Sequence, residues 1–99
     1  MIILNALYKR PMDTKAFHKH YDEVHMPLVL NIPGLVKAEV EMVSATFAGE
    51  PDDNYMLARM FYDDKISFDT AMKSEQNRAT AKDLQNFASA GVSLFVTHN

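Results

Sequence analysis

Along the chain, hydrophobic positions switch between strand-like and helical spacing, and each switch marks an element. Ile2, Ile3, Leu4, Ala6, Leu7 and Tyr8 form a run rich in β-formers that only Asn5 interrupts, which predicts a strand buried on both faces. Pro11 and Asp13 punctuate its end. From residue 14 to about residue 30 the period becomes helical: Phe17, Tyr21, Val24 and Leu28 make the apolar stripe, and His18, Lys19, Asp22 and Glu23 fill other positions. Asp13 or Thr14 can cap this helix by accepting orphan backbone N–H bonds, whereas Pro27 lacks a donor and should kink or break the last turn. Residues 31–34 then end it.

From Leu35 to about residue 47 the pattern alternates. Leu35, Lys37, Glu39, Glu41 and Val43 share one face, and Val36, Ala38, Val40 and Met42 the other, which predicts a long strand with one wholly apolar face. Residues 48–54 carry Gly49, Pro51 and two aspartates and read as a loop. Residues 55–62 supply a third strand, with Tyr55, Leu57, Arg59 and Phe61 opposing Met56, Ala58, Met60 and Tyr62. Residues 67 to about 89 read as helix in two pieces around Ser74, with Phe68, Ala71, Met72, Ala79, Leu84, Phe87 and Ala88 on its apolar side; Gly91 closes it. Residues 92–97 alternate as a fourth strand.

The order β α β β α β is that of the split βαβ, ferredoxin-like α+β arrangement: a four-stranded antiparallel sheet with two helices on one face. Two helices cover one face only, yet the strands are apolar on both. A second copy is the simplest cover, so a homodimer that closes two sheets into a barrel-like core is expected.

Size and charge narrow the role. A chain of 99 residues, 47% of them hydrophobic, builds one core and one domain, residues 1–99. A net charge of −3 with scattered basic residues argues against nucleic acid. No apolar run approaches the roughly 18 residues of a membrane span. Without cysteine there is neither a disulfide nor a thiolate site, and the cytoplasm is the natural compartment. Seven methionines add adaptable apolar surface. No phosphate loop, dinucleotide fingerprint, haem attachment motif or serine triad signature occurs, and no cofactor is expected.

Several segments in order resemble the EthD family: the strand through Leu7-Tyr8, the segment from Phe17 through Tyr21-Asp22-Glu23-Val24-His25-Met26-Pro27-Leu28, Pro33-Gly34-Leu35, Phe61-Tyr62-Asp63, and Asp83-Leu84-Gln85-Asn86-Phe87. The resemblance implies a dimeric α+β barrel of ferredoxin type. It implies a role linked to oxidoreductases, since EthD is associated with bacterial ether degradation beside an oxygenase, and similar barrels include cofactor-independent monooxygenases. Fungal relatives described as dehydratases imply lyase chemistry instead. A ferredoxin-like barrel hosts many activities, so the function must be argued from a site.

His25 is the first candidate. It lies one turn from Tyr21 at the border of the apolar stripe, and the resemblance places the family's histidine here. A neutral imidazole between helix and sheet could take a proton from a carbon acid or phenol while Tyr21 orients the substrate; alternatively His25 only locks the kink beside Pro27. Asp83, with Asn86 nearby, could fix the His25 tautomer or be a solvated helix carboxylate. Phe17, Leu28, Phe68, Phe87 and Phe95 are the candidate lining of a small apolar or aromatic ligand site, with core packing as the bland reading. His18, Asp22 and His25 fall near one helix side and invite a metal reading that an exposed helix pair explains as well. His20 and His98 have no visible companions. Arg59, in an apolar strand face, should pair with Glu39 or Glu41. The expectation is thus a catalyst built on His25, Tyr21 and Asp83. Its rival is a non-catalytic carrier that holds a hydrophobic metabolite for a partner oxygenase.

Overall fold

In a computed structural model described over residues 1–99, β1 (Ile2–Lys9) leads to a first helical arm made of α1 (Thr14–His20), a π-helical turn (Tyr21–His25) and α2 (Met26–Leu30). β2 (Leu35–Met42) and β3 (Asn54–Tyr62) follow, then α3 (Lys65–Met72), α4 (Glu75–Phe87) and β4 (Val92–His98). The strands form one antiparallel sheet in the order β2-β3-β1-β4, the order that two split βαβ units require. Local chemistry starts each helix. The Asp13 carboxylate accepts from Ala16 N–H at 3.0 Å, Asp64 from Ser67 at 2.8 Å, and the Ser74 hydroxyl from Asn77 at 3.1 Å; each such cap stabilises its helix by about 1 kcal/mol.

The helices cover one sheet face. Ala6 and Tyr8 of β1 and Met56, Ala58, Met60 and Tyr62 of β3 point towards them and pack into one core with Phe17, Tyr21, Val29, Ala71 and Phe87. The alternate residues make the outer face, where the register sets Ile3 beside Phe61 and Thr97, and Asn5 beside Arg59 and Phe95. On the outer face of the central strands Ile3, Asn5 and Phe61 are buried within one chain, while Leu7, Leu57 and Arg59 are half-buried. Surplus apolar surface lies instead along the two edge strands: Val36, Val40 and Met42 on β2 and Leu94, Phe95 and Val96 on β4 are 40–54% exposed.

Three details differ from the sequence pattern. β2 stops at Met42 and not near residue 47, because Thr46, Gly49 and Glu50 bond to one another in a turn and Gly49 takes a positive φ of 85°. Leu35 opposes Tyr62 while Lys37 opposes Phe61, so Val36 is a bulged residue; Leu35 therefore joins the core and Val36 faces out, the reverse of strict alternation. Arg59 lies opposite Glu39 but pairs with no carboxylate. Its guanidinium sits 5.1 Å from the centre of the Phe61 ring, and Glu39 pairs with Lys37 at 3.5 Å.

Candidate active site

The first helical arm carries Phe17, Tyr21, His25 and Val29 on its buried side. Steps of four residues drift around a regular α-helix, so that pattern predicts Val24 inside and His25 at the border. The π turn removes the drift. Met26 N–H reaches back five residues to Tyr21 O, Pro27 starts the next turn where its missing donor costs nothing, and His25 swings inward to 3% exposure while Val24 is left exposed. The arm thus runs unbroken through Pro27, and its departure from regular α-helix is the π turn just before it. Turns of this kind recur at functional sites.

Inside, His25 meets α4. Its Nδ1 lies 2.9 Å from Asp83 Oδ2. His20 Nε2 lies 2.9 Å from Asp83 Oδ1, and Asn86 Nδ2 donates to the same oxygen at 3.0 Å. Asp83 is buried; burial alone would raise its pKa, but the hydrogen bonds from Asn86, His20 and His25 outweigh it and hold the carboxyl below its ordinary value. Burial lowers the pKa of His25 against the pull of Asp83. The two directions agree: an ionised Asp83 accepts Nδ1–H from a neutral His25, whose Nε2 keeps its lone pair.

A cavity of about 160 Å³ lies between α4 and the sheet. His25 forms part of its wall with Leu4, Met60, Tyr62, Thr80 and Leu84, and Leu94 on the exposed edge strand completes it. The lining is otherwise almost wholly apolar. The Tyr62 hydroxyl is fully buried and has no hydrogen-bond partner, and burial pushes its pKa up to about 12, so it remains a neutral donor. Tyr8 also lines the cavity, and burial, with Tyr21 and Asp83 nearby, raises its pKa further.

The other candidates are dispersed. Tyr21 stacks against Phe17 and lies 5.4 Å from the His25 ring, but it does not line the cavity; its hydroxyl is buried without a partner and its pKa rises to about 12 through burial and the charge of Asp22. None of Phe17, Leu28, Phe68, Phe87 and Phe95 reaches the cavity wall. Phe17 and Phe87 fill the core beside it, Phe68 packs edge-on against Tyr62, Leu28 is half-buried on α2, and Phe95 projects from the outer sheet face because its register is odd with respect to Leu94. His18, Asp22 and His25 do not converge: His18 Nε2 bonds the Tyr55 hydroxyl at 2.7 Å, Asp22 is exposed, and no group of three such side chains could hold a metal ion.

His20 is the residue that the sequence reading missed. Its companion stands 63 positions away, on another helix. One signal did exist: His20 and His25 are five residues apart, the i→i+5 spacing of a π-helical hydrogen bond.

Comparison with known proteins agrees with this architecture. The sequence profile of the EthD domain matches residues 9–91. An 11.0 kDa protein from the thcB-thcC intergenic region of Rhodococcus erythropolis is 34% identical over 97 residues, covering 98% of this chain and 93% of the relative. The crystal structure of an ethyl tert-butyl ether degradation (EthD) family protein from Bacillus halodurans superposes with a TM-score of 0.91 at 35% identity, covering 100% of this chain and 98% of that one. A cofactor-independent oxygenase from Streptomyces nogalater (TM-score 0.67, 13% identity, 99% of this chain and 90% of that one) and a dimeric ferredoxin-like protein from Jannaschia (TM-score 0.68, 10% identity, all of both chains) share the fold alone.

Proposed function

The chain belongs to the EthD family, and we propose that it holds one small apolar or aromatic metabolite in the cavity between α4 and the sheet, with His25 as the general acid or base acting on it. The observation that carries this reading is the placement of His25: a buried imidazole, with Nδ1 2.9 Å from the Asp83 carboxylate, in the wall of an apolar cavity. A dry cavity of about 150 Å³ takes one benzene ring, so this one suits a single ring or an alkyl group of like size. In the reaction the ligand's X–H bond breaks, an Nε2–H bond forms, and the imidazolium is stabilised by Asp83; such proton transfer accelerates a reaction by about 10² to 10⁴. The Tyr62 hydroxyl, sealed and without a partner, becomes a donor to an oxygen on the ligand only if its ring shifts. Proton removal of this kind serves an oxygenase-linked step and a dehydration alike. Tyr21 supports the His25 ring from behind.

A carrier role for a partner oxygenase is the second reading, favoured by the apolar lining. The exposed edge strands further support a homodimer that pairs β2 and β4 surfaces of two copies, as the dimeric neighbour of this fold suggests. A chain without cysteine suits the cytoplasm; no helix is long and apolar enough to cross a membrane. The test uses benzene and phenol with ¹⁵N-labelled protein. Both should perturb residues of the cavity, and phenol alone should shift the His25 ring signals. If neither probe perturbs the cavity, the ligand reading fails; if phenol binds equally to His25→Ala and metabolite from the native host is released unchanged, the carrier reading replaces catalysis.

A further inference from the structure

Two spaces flank Asp83, and no residue lines both. The inner one is the cavity of His25. The outer one is an open cleft of about 490 Å³ bounded by Met12, Asp13, Phe17, Asn86 and Phe87, and His20 stands in its wall with 26% of its side chain exposed. Asp83 joins the two spaces: His20 Nε2 lies 2.9 Å from its Oδ1 and 3.0 Å from its Oδ2, and His25 Nδ1 lies 2.9 Å from the same Oδ2. We propose that His20 is the solvent-facing half of this couple and, through Asp83, governs whether His25 can act as a base in the cavity. The proposal deepens the reading above and rests on it for its chemical purpose.

The argument is one of charge. One carboxylate serves two imidazoles, and no lysine or arginine lines either space or pairs with Asp83. When both imidazoles are neutral, each donates one N–H, and the whole negative charge of Asp83 is available to the imidazolium that His25 becomes when it takes a proton. Solvent in the cleft reaches His20, whose protonation cancels that charge. A second cation on His25 would then sit on a carboxylate already neutralised, in a site with little water to screen it. The other titratable groups facing the couple are Tyr8 from β1, Tyr21 from the π turn and Asp13 at the cleft mouth; the two tyrosines stay neutral at ordinary pH. His20 touches no ligand, so it is a positioning residue. The stacking of its ring on Phe87, centres 5.1 Å apart, and the position of Phe87 4.6 Å from the His25 ring hold both imidazoles on the same side of α4.

The test is ¹H–¹⁵N spectroscopy of the histidine rings from pH 4 to pH 9 on the ligand-free protein, wild type and His20→Gln. Glutamine keeps an N–H donor for Asp83 but carries no charge at any pH. The expected result is a higher His25 titration midpoint in His20→Gln, a gain of about threefold or more in proton affinity, with the Nδ1–H tautomer retained. An unchanged midpoint overturns the proposal and leaves His20 as a structural support of Asp83. Should His20→Gln fail to fold, the wild type decides: His25 signals that inflect where His20 titrates support the couple, and a single independent curve overturns it. Because no ligand is added, this outcome is independent of whether benzene and phenol bind.

Discussion

Asn5 and Tyr62 stand on neighbouring strands of one sheet, each nearly sealed from solvent, and their polar atoms meet opposite fates. On the outer face the Asn5 amide donates to Ile3 O and Phe95 O at 3.3 Å and to Thr97 Oγ1 at 2.9 Å. On the helix side the Tyr62 hydroxyl has no partner at all. A buried polar group that is bonded to its neighbours holds a structure in register; one left without a partner is available to something else. His25 shares both conditions, with Nδ1 committed to Asp83 and the ring in the cavity wall.

The strongest way to break this comparison is to remove the carboxylate that completes the inner cluster. Asp83→Ala would strand His25, His20 and Asn86 donors together, at a cost of about 3 kcal/mol, measured by urea unfolding. A loss under about 1 kcal/mol would mean that the cluster relaxes into water and is no organised site. Asn5→Ala comes next, with a loss of about 1 to 2 kcal/mol. Because Asn5 serves the outer face alone, benzene should bind the variant as it binds the wild type; a lost cavity signal would show that the two faces are coupled.

Acidification separates the same groups by pH. The His25 pKa is lowered in the folded chain, so below the ordinary value of 6.5 the unfolded chain binds the extra proton first, and stability declines as pH falls. Asp83 is also lowered, so its contribution is complete above the ordinary 3.8 and is lost as pH falls further, through its folded value. Stability should therefore drop in two windows. His25→Gln should flatten the first, below 6.5, and leave the second; a profile unchanged by the substitution would exclude His25 as a buried neutral imidazole.

The fold was legible because each of its elements is encoded locally. Strand-like runs at Ile2 and Leu57, a cap at Asp13, a break at Ser74 and the turn residues around Gly49 and Gly91 mark the pieces, and their order admits few topologies. The contact between His25 and Asp83 was accessible as a possibility, since an amphipathic helix faces a second one. Three things were not. The π turn adds a residue that periodicity cannot register, so Val24 and His25 exchange places. The companion of His20 lies on another helix. The cavity is an absence of atoms, set by how Met60, Leu84 and Leu94 fail to meet, and aromatic content pointed instead to phenylalanines that fill the core or the outer face.

Tyr62→Phe has the smallest expected effect on stability and sharpens the comparison most. Removing a hydroxyl that makes no bond spares its desolvation, so the variant should be as stable as the wild type or gain up to about 1 kcal/mol. The ring stays, and so does the apolar wall; benzene affinity should be unchanged. If the Tyr62 ring shifts so that its sealed hydroxyl donates to the oxygen of phenol, phenol affinity should fall by about three- to tenfold in the variant, the worth of one buried hydrogen bond. A destabilised Tyr62→Phe would mean that the hydroxyl is held by a structural partner such as an ordered water. The inner face would then be as complete as the outer one, and the distinction between Asn5 and Tyr62 would carry no functional meaning.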